Sequence, residues 1–415
     1  MGTAVISFTE RGMELSRRIK QKLEKEAFGQ VVLYTKCSDY PDGEGDVCFV
    51  EEPLKEWTGK QFSESGALIF VGACGIAVRS IAPHLQDKLK DIPVLVADEG
   101  GDFVIPILSG HYGGGNELAV FVAEQIGAVP VITTATDVNG LFAVDVFARK
   151  NGLVVGDKDG IAKVSGKILK ERHITFWIDG EVRGTVPPEV ELLSKENALW
   201  KKSGLSEESV LSEKNSLPKE NALCERSNLP EKRFADVAIS VKNEGAGLLQ
   251  LYPKAVLLGM GCKKGKTCGE IEAFVREQLE RLHIPMAAVR ALATIDRKGK
   301  EPGFLEFSEK YGLSFLTYSK EILEAAEGNF SASSFVKNQV GVDNVCERAA
   351  AAAVAANAEK MTAENRETGE KKETEKQTAE GKTEDNVRFL LKKTAKDGMT
   401  LAVAEEKWSV AFYET

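Results

Sequence analysis

The chain has 415 residues, 43% hydrophobic and 28% charged, with a formal net charge of −9. That length calls for two or three domains and that composition for a soluble globular protein, while the acidic balance excludes a general nucleic-acid binder, which must neutralise phosphates. No apolar run reaches the roughly 18 residues of a membrane helix; "AAAAAVAA" (Ala349–Ala356) is short and weakly apolar.

The start, "MGTAVISFTERG", lacks the basic n-region and cleavage site of a signal peptide, and Ile6 stands where myristoylation wants Ser or Thr. "TAVISF" then reads as a strand, and "ELSRRIKQKLEKEA" as a helix with Leu15, Ile19 and Leu23 on one face. "QVVLYT" and "ALIFVGACG" are further strands, and a helix runs through "AVRSIAPHL". "IPVLVAD", "FVIPIL", a helix from Asn116 and "VPVITTA" follow. Short strands alternating with helices predict βαβ units and a mostly parallel sheet over residues 1–140. The texture over 141–193 is shorter and mixed, as expected of a small middle domain.

Leucines then recur every six residues, from Leu193 to Leu229, between Lys, Glu, Asn and Ser. A hexapeptide solenoid is one reading. A duplicated low-complexity linker over 194–235 is the other, and composition favours it. From 236 to 415 an α/β pattern returns: strand "AVLLGMGC", helix "GEIEAFVREQLERL", strands "AVRALATID" and "LSFLT", then helices "EILEAAE" and "VCERAAAAAVAANAE". A Lys/Glu-rich tract at about 358–386 reads as a disordered insert, because "NVRFLLKKT" and "TLAVAEE" resume the strand pattern after it. Seven scattered cysteines, no CxxC and four histidines predict neither a disulfide framework nor a metal site, and fit a reducing, cytoplasmic compartment.

Candidate sites fall at strand ends. In "SGHYGGGNELAVFVAEQIG" the glycines Gly113, Gly114 and Gly115 leave the strand "FVIPIL" and lead into a helix capped at Gly127, with Asn116 and His111 on either side. Three glycines exceed what a plain turn needs, so the expectation is a ligand brought close to the backbone at a helix N-terminus. "VADEGGD" adds Asp98, Glu99 and Asp102, and "GACGIAVRSIAPH" adds Gly72, Gly75, Arg79 and His84. These three strand ends are expected to share one crevice at the carboxyl edge of the sheet. "LGMGCKKGKTCGEIE" sets Gly259 and Gly261 among Lys263, Lys264 and Lys266. It departs from a phosphate loop at Met260, and a dinucleotide reading through Gly259, Gly261 and Gly265 stays open. On either reading the turn should attract an anion.

Together, "GACGIAVRSIAP", "ADEGGDFVIPILSGHYGGGNELA", "LGMGCKKG", "LATIDRKGKEPGFLEF" and "VGVDNVCERAA" resemble, in order, the signatures of the cobalamin-biosynthesis family CbiG, the cobalt-precorrin-5A hydrolases. The likeness covers all but the leucine-period linker and the Lys/Glu insert. Its C-terminal part is also similar to the smaller CobE, and Gly115 departs from the family's usual alanine. The resemblance implies opening of a ring A δ-lactone on a cobalt tetrapyrrole, with the extruded carbon released as acetaldehyde. Cobalt would belong to the substrate, and no cofactor is expected. His111 would be the base, oriented by Asp98 or Glu99. Gly72, Gly75, Arg79, Gly113, Gly114, Gly115, Asn116, Gly259, Gly261, Lys263, Lys264 and Lys266 would bind substrate. Expected partners are the corrinoid itself and neighbouring corrin-pathway enzymes, with no nucleic acid and no membrane. The rival classes are a non-catalytic corrinoid-delivery module and an NADP-dependent oxidoreductase.

Overall fold

The structure is a computed structural model that describes residues 2–26, 29–39, 45–194, 198–199, 233–243, 247–331, 341–367 and 387–413. Most of the leucine-repeat linker, and residues 368–386 of the insert, lie outside the described residues. The chain divides into two compact units, Met1–Lys150 with Ile168–Arg172, and Asn151–Lys167 with His173–Thr415.

The first unit is built on a seven-stranded sheet. Its strands are β1 (Thr3–Ser7), β2 (Val31–Thr35), β3 (Val47–Phe49), β4 (Ala67–Val71), β5 (Val94–Ala97), β6 (Phe103–Leu108) and β7 (Val129–Pro130), in the order 3-2-1-4-5-6-7. β1 to β5 are parallel, as the alternation of elements predicts. β6 turns back antiparallel to β5, and β7 runs parallel to β6. Both faces of the sheet are covered because β4 and β5 are apolar at every position and β1 departs from this only at its end residues Thr3 and Ser7. Val5, Ile69, Val71, Leu95 and Ala97 face α1 (Glu10–Lys25) and α4 (Gly115–Ile126). Ala4, Ile6, Leu68, Phe70, Val94 and Val96 face α2 (Leu54–Glu64) and α3 (Cys74–Ile81). Thr9 caps α1 by accepting from the Gly12 amide, and Gly127 ends α4 in the left-handed conformation. Two short helices, α5 (Ala135–Val138) and α6 (Val144–Lys150), follow β7.

In the second unit a five-stranded sheet has the order β11-β9-β14-β15-β8. It is formed by β8 (Val154–Val155), β9 (Ile174–Ile178), β11 (Val190–Leu192), β14 (Val237–Ile239) and β15 (Leu249–Tyr252). The helix α7 (Lys158–Glu171) lies between β8 and β9 in the chain, β10 (Glu181–Gly184) after β9, and a short parallel pair, β12 (Ala198–Leu199) and β13 (Arg233–Phe234), falls within the 194–235 span, near its two ends. This sheet takes β14 and β15 from beyond residue 235, where the sequence reading had placed the start of the next domain. The side chains show why: Asp236, 8% exposed, accepts from the Thr175 amide (2.8 Å), the Thr175 hydroxyl (3.0 Å) and Lys167 (2.8 Å). A buried carboxylate needs such partners, and they all precede the linker.

The last sheet has the order β18-β17-β16-β20-β19: β16 (Val256–Cys262), β17 (Val289–Ile295), β18 (Ser314–Tyr318), β19 (Arg388–Lys396) and β20 (Met399–Glu405). β16, β17 and β18 are parallel, and β20 is antiparallel to both β16 and β19. Its final neighbour in sequence, β21 (Ser409–Phe412), pairs instead with β10. One face packs on α8 (Cys268–Arg281) and α9 (Pro302–Tyr311) through Phe274, Phe304 and Phe307. The other packs on α10 (Lys320–Ala325) and on α11 (Val345–Glu367) through Ala349, Ala350 and Ala353. The alanine run is thus a close-packing helix face.

Candidate functional site

The direction of β6 decides where the glycine loop emerges. Because β6 runs against β5, its carboxyl end lies at the amino end of β5. Ser109 confirms this placement by donating its hydroxyl to the Asp91 carbonyl (2.7 Å), just before β5 begins. Gly72, Gly75, Asp98 and Glu99 follow β4 and β5 and so lie at the opposite edge. The single crevice expected from three strand ends therefore does not form.

Nor is a ligand needed to explain the glycines. The loop folds back on itself, with the Gly115 amide donating to the Ser109 carbonyl (3.0 Å) and the Asn116 amide to that of Gly110 (2.8 Å). A Cβ on Gly113 would come within 2.5 Å of the Ser109 Cβ, one on Gly110 would overlap the Asn116 side chain, and Gly114 has φ of 81°. The close approach is made by the loop's own chain. Gly115 is the first residue of α4, and Asn116, 9% exposed, turns its side chain away from a capping role.

What the loop presents is His111. Its Nε2 donates to Asp137 Oδ2 (2.7 Å), and its Nδ1 lies 3.2 Å from Asp145 Oδ2. Asp137 Oδ2 also accepts from the Asn116 amide group (2.8 Å) and from the Thr134 hydroxyl, while Asn116 bonds Thr134 as well (2.7 Å). The Thr136 hydroxyl lies 3.1 Å from His111 Nε2. The His111 side chain is 18% exposed, Asp145 14% and Asp137 38%. The hydrogen bond to Asp145 is the largest influence on the ring; with the charge of Asp145 and the contribution of Asp137 it outweighs burial and raises the imidazole from 6.5 to about 9. At neutral pH the ring is therefore charged, not the free base that the resemblance implied. Burial pushes the Asp137 carboxyl up, but the bonds from Thr134, His111 and Asn116 prevail and hold it below its usual range. Among the described residues, Asp137 Oδ1 accepts no hydrogen bond. A cleft of about 520 Å³, with Val120, Phe121, Ile132 and Val138 among its walls, opens against Asn116 and Asp137.

The carboxylates that orient His111 are thus Asp137 and Asp145, not Asp98 or Glu99. Asp98 caps the β5–β6 turn, accepting from the amides of Gly100 (2.9 Å), Asp102 (3.0 Å) and Phe103 (2.6 Å). Glu99 accepts from the Thr9 hydroxyl (2.7 Å). Arg79 bonds the Gly75 carbonyl of its own helix (3.2 Å), and Gly72 backs onto Phe8. His84 bonds the Lys55 carbonyl (2.8 Å). The missed residues had one local signal: Thr134 and Asp137 stand three apart at the start of α5, the spacing of a capping pair.

In the second unit Gly259 and Gly261 lie inside β16 rather than in the turn after it. A Cβ on Gly259 would overlap the Cys346 carbonyl oxygen of α11, so this glycine is required by helix-on-sheet packing. Lys263 and Lys264 are in the turn and exposed, whereas Lys266 pairs with Glu270 (2.7 Å). Glu270 and Thr267 form a capping box on α8, so the helix N-terminus is satisfied from within.

Three family models match the chain: "Cobalamin synthesis G N-terminal" over residues 56–137, "Cobalamin biosynthesis central region" over 142–253 and "Cobalamin synthesis G C-terminus" over 256–404. The cobalt-precorrin-5A hydrolase of Salmonella typhimurium is 31% identical over 325 residues, 72% of this chain and 82% of that protein. That of Priestia megaterium is 31% identical over 332 residues, 78% and 81% of the two chains. A solved cobalamin biosynthesis protein G homolog from Sulfolobus solfataricus aligns over 98% of this chain and 97% of its own, at 18% identity and a TM-score of 0.36.

Proposed function

The chain belongs to the CbiG family of cobalamin-synthesis proteins, and we propose that it opens the ring A δ-lactone of cobalt-precorrin-5A and releases the extruded carbon as acetaldehyde. Its relatives support the coarser statement directly: a hydrolase with a role in cobalamin biosynthesis. The finer one is carried by the imidazole of His111 clamped between two carboxylates beside an open cleft.

The chemistry asks for two proton transfers. Water adds to the lactone carbonyl and gives a proton to a base; the acyl C–O bond then breaks and the leaving alkoxide takes a proton back. In the second stage a base removes the proton of the freed alcohol and the C–C bond to the macrocycle breaks. Its electron pair passes into the conjugated ring, and the carbinol carbon leaves as the aldehyde. Asp137 fits both stages, since it lines the cleft and its Oδ2 is held while its Oδ1 accepts no hydrogen bond among the described residues. His111, charged at neutral pH, keeps Asp137 aligned and ionised through Nε2. Asp145 fixes the ring from its other nitrogen. In this reading cobalt enters and leaves with the substrate and the chain needs no cofactor of its own.

Incubation with cobalt-precorrin-5A and trapping of acetaldehyde tests the proposal. Stoichiometric acetaldehyde with loss of the lactone is the expected result. Tight substrate binding with the lactone left intact would return the non-catalytic delivery reading, and turnover that required NADP would return the oxidoreductase.

A further inference from the structure

In the second unit β16 and β17 run parallel, with Gly259 beside Ala293, so the turns that leave them at Cys262 and Ile295 emerge side by side. Residues 263–266 and 296–301 hold six basic side chains against two acidic ones, in a chain whose net charge is −9. One buried group ties the two turns together. Glu301, 7% exposed, accepts from the Gly265 amide (2.7 Å) through one oxygen and from Lys298 (2.7 Å) through the other. Its carboxyl is held below the usual range, first by Lys298, with burial opposing. Lys298 is therefore engaged in this clasp, and Lys266 is engaged by Glu270.

Lys263, Lys264, Arg297 and Lys300 are left exposed, and among the described residues none of them has an ion pair. Asp296 is the one exposed acid of these turns, and it accepts from the Arg297 amide (2.6 Å). Like charges on neighbouring turns repel one another, so a clasp that ties the turns together lowers the stability of the free protein unless an anion relieves it.

We propose that Lys263, Lys264, Arg297 and Lys300 form a receptor for several carboxylates of one ligand, the rim acids of a tetrapyrrole. The identity of the ligand rests on the function proposed above; the multivalent anion site rests on the clasp and the four unpaired cations. Glu301 acts as a positioning residue that keeps the Lys263–Lys264 turn against the Arg297–Lys300 turn. Neither Arg297 nor Lys300 stood out in the sequence, because the residues between them and Lys263 include a whole helix and strand.

The test uses the full chain and uroporphyrin, a soluble tetrapyrrole with carboxylates around its rim. Saturable binding that weakens as salt rises is expected of the wild type. The double variant Arg297→Glu with Lys300→Glu should bind roughly tenfold or more weakly. Lys254→Glu, an exposed reversal just before β16 and hence at the other end of the strand, should change affinity less than about twofold. Loss of binding in both variants alike would mean that net charge alone is sensed, and would overturn the receptor. So would unchanged affinity in the double variant, or no saturable binding by the wild type. Acetaldehyde release from cobalt-precorrin-5A by a wild type that shows no saturable porphyrin binding refutes this site and spares the proposed reaction. Weakened porphyrin binding in a protein that never releases acetaldehyde refutes the reaction and spares the site.

Discussion

Replacing Asp145 with Asn would test whether His111 carries a proton because of the carboxylate on its Nδ1 side. The rise from 6.5 to about 9 corresponds to roughly 3 kcal/mol of preference for the charged ring. Two carboxylates share that preference, but not equally: Asp145 is 14% exposed and Asp137 38%, so solvent screens Asp137 more. Asp145→Asn keeps the shape and can still accept a bond from Nδ1, while losing the charge and the stronger charge-assisted bond. The His111 midpoint should then fall by about one to two pH units. The chain has only four histidines, so their ring protons can be followed by NMR across a pH series, with His111 assigned by its absence in His111→Asn. On the proposed mechanism, the basic limb of kcat should move to lower pH by the same amount. A His111 midpoint that stays near 9 in Asp145→Asn, or lies near 6.5 in the wild type, would refute the reasoning.

His111→Asn should cut acetaldehyde release by about 10²-fold, because Asp137 loses its alignment, with little change in substrate affinity; turnover within a few-fold of wild type would reduce His111 to a loop-forming residue. Stability should also depend on pH through this ring. Its folded value is raised above the unfolded one, so the contribution is fully present below pH 6.5 and is lost as pH rises through about 9. Urea midpoints at pH 6 and pH 10 should therefore differ more in the wild type than in His111→Asn; equal differences would show that the clamp adds nothing. Gly259→Ala should lower stability by about 1–3 kcal/mol or more, because its Cβ meets the Cys346 carbonyl oxygen. Gly269→Ala, in the first turn of α8 with open space around it, should be neutral or slightly stabilising. Matching melting temperatures for the two variants would contradict the packing argument.

Much of the architecture was legible in the chain itself. Runs such as "ALIFV" and "VLVA" are apolar at every position, which demands cover on both faces and hence a parallel sheet between helices. The helices over Glu10–Lys25, Gly115–Ile126 and Cys268–Arg281 follow from periodicity and end signals, and the order of the glycine-bearing motifs was enough to recognise the family. Even the direction of β6 had a trace. Only five residues, Asp98–Asp102, separate it from β5, too few for a parallel crossover, so "VADEGGD" should have been read as a hairpin. The partners of His111 had no such trace, because hydrogen bonds between residues 111, 137 and 145 depend on how β7, α5 and α6 are laid beside the loop. The same holds for Gly259, whose need for a bare Cα comes from a helix almost ninety residues later, and for Glu301, which joins two turns separated by α8 and β17. Local patterns record what each segment needs from its immediate neighbours in the chain. Charge on an imidazole, a missing Cβ and a shared buried carboxylate record what the fold brings next to it, and those were decided only by the tertiary structure.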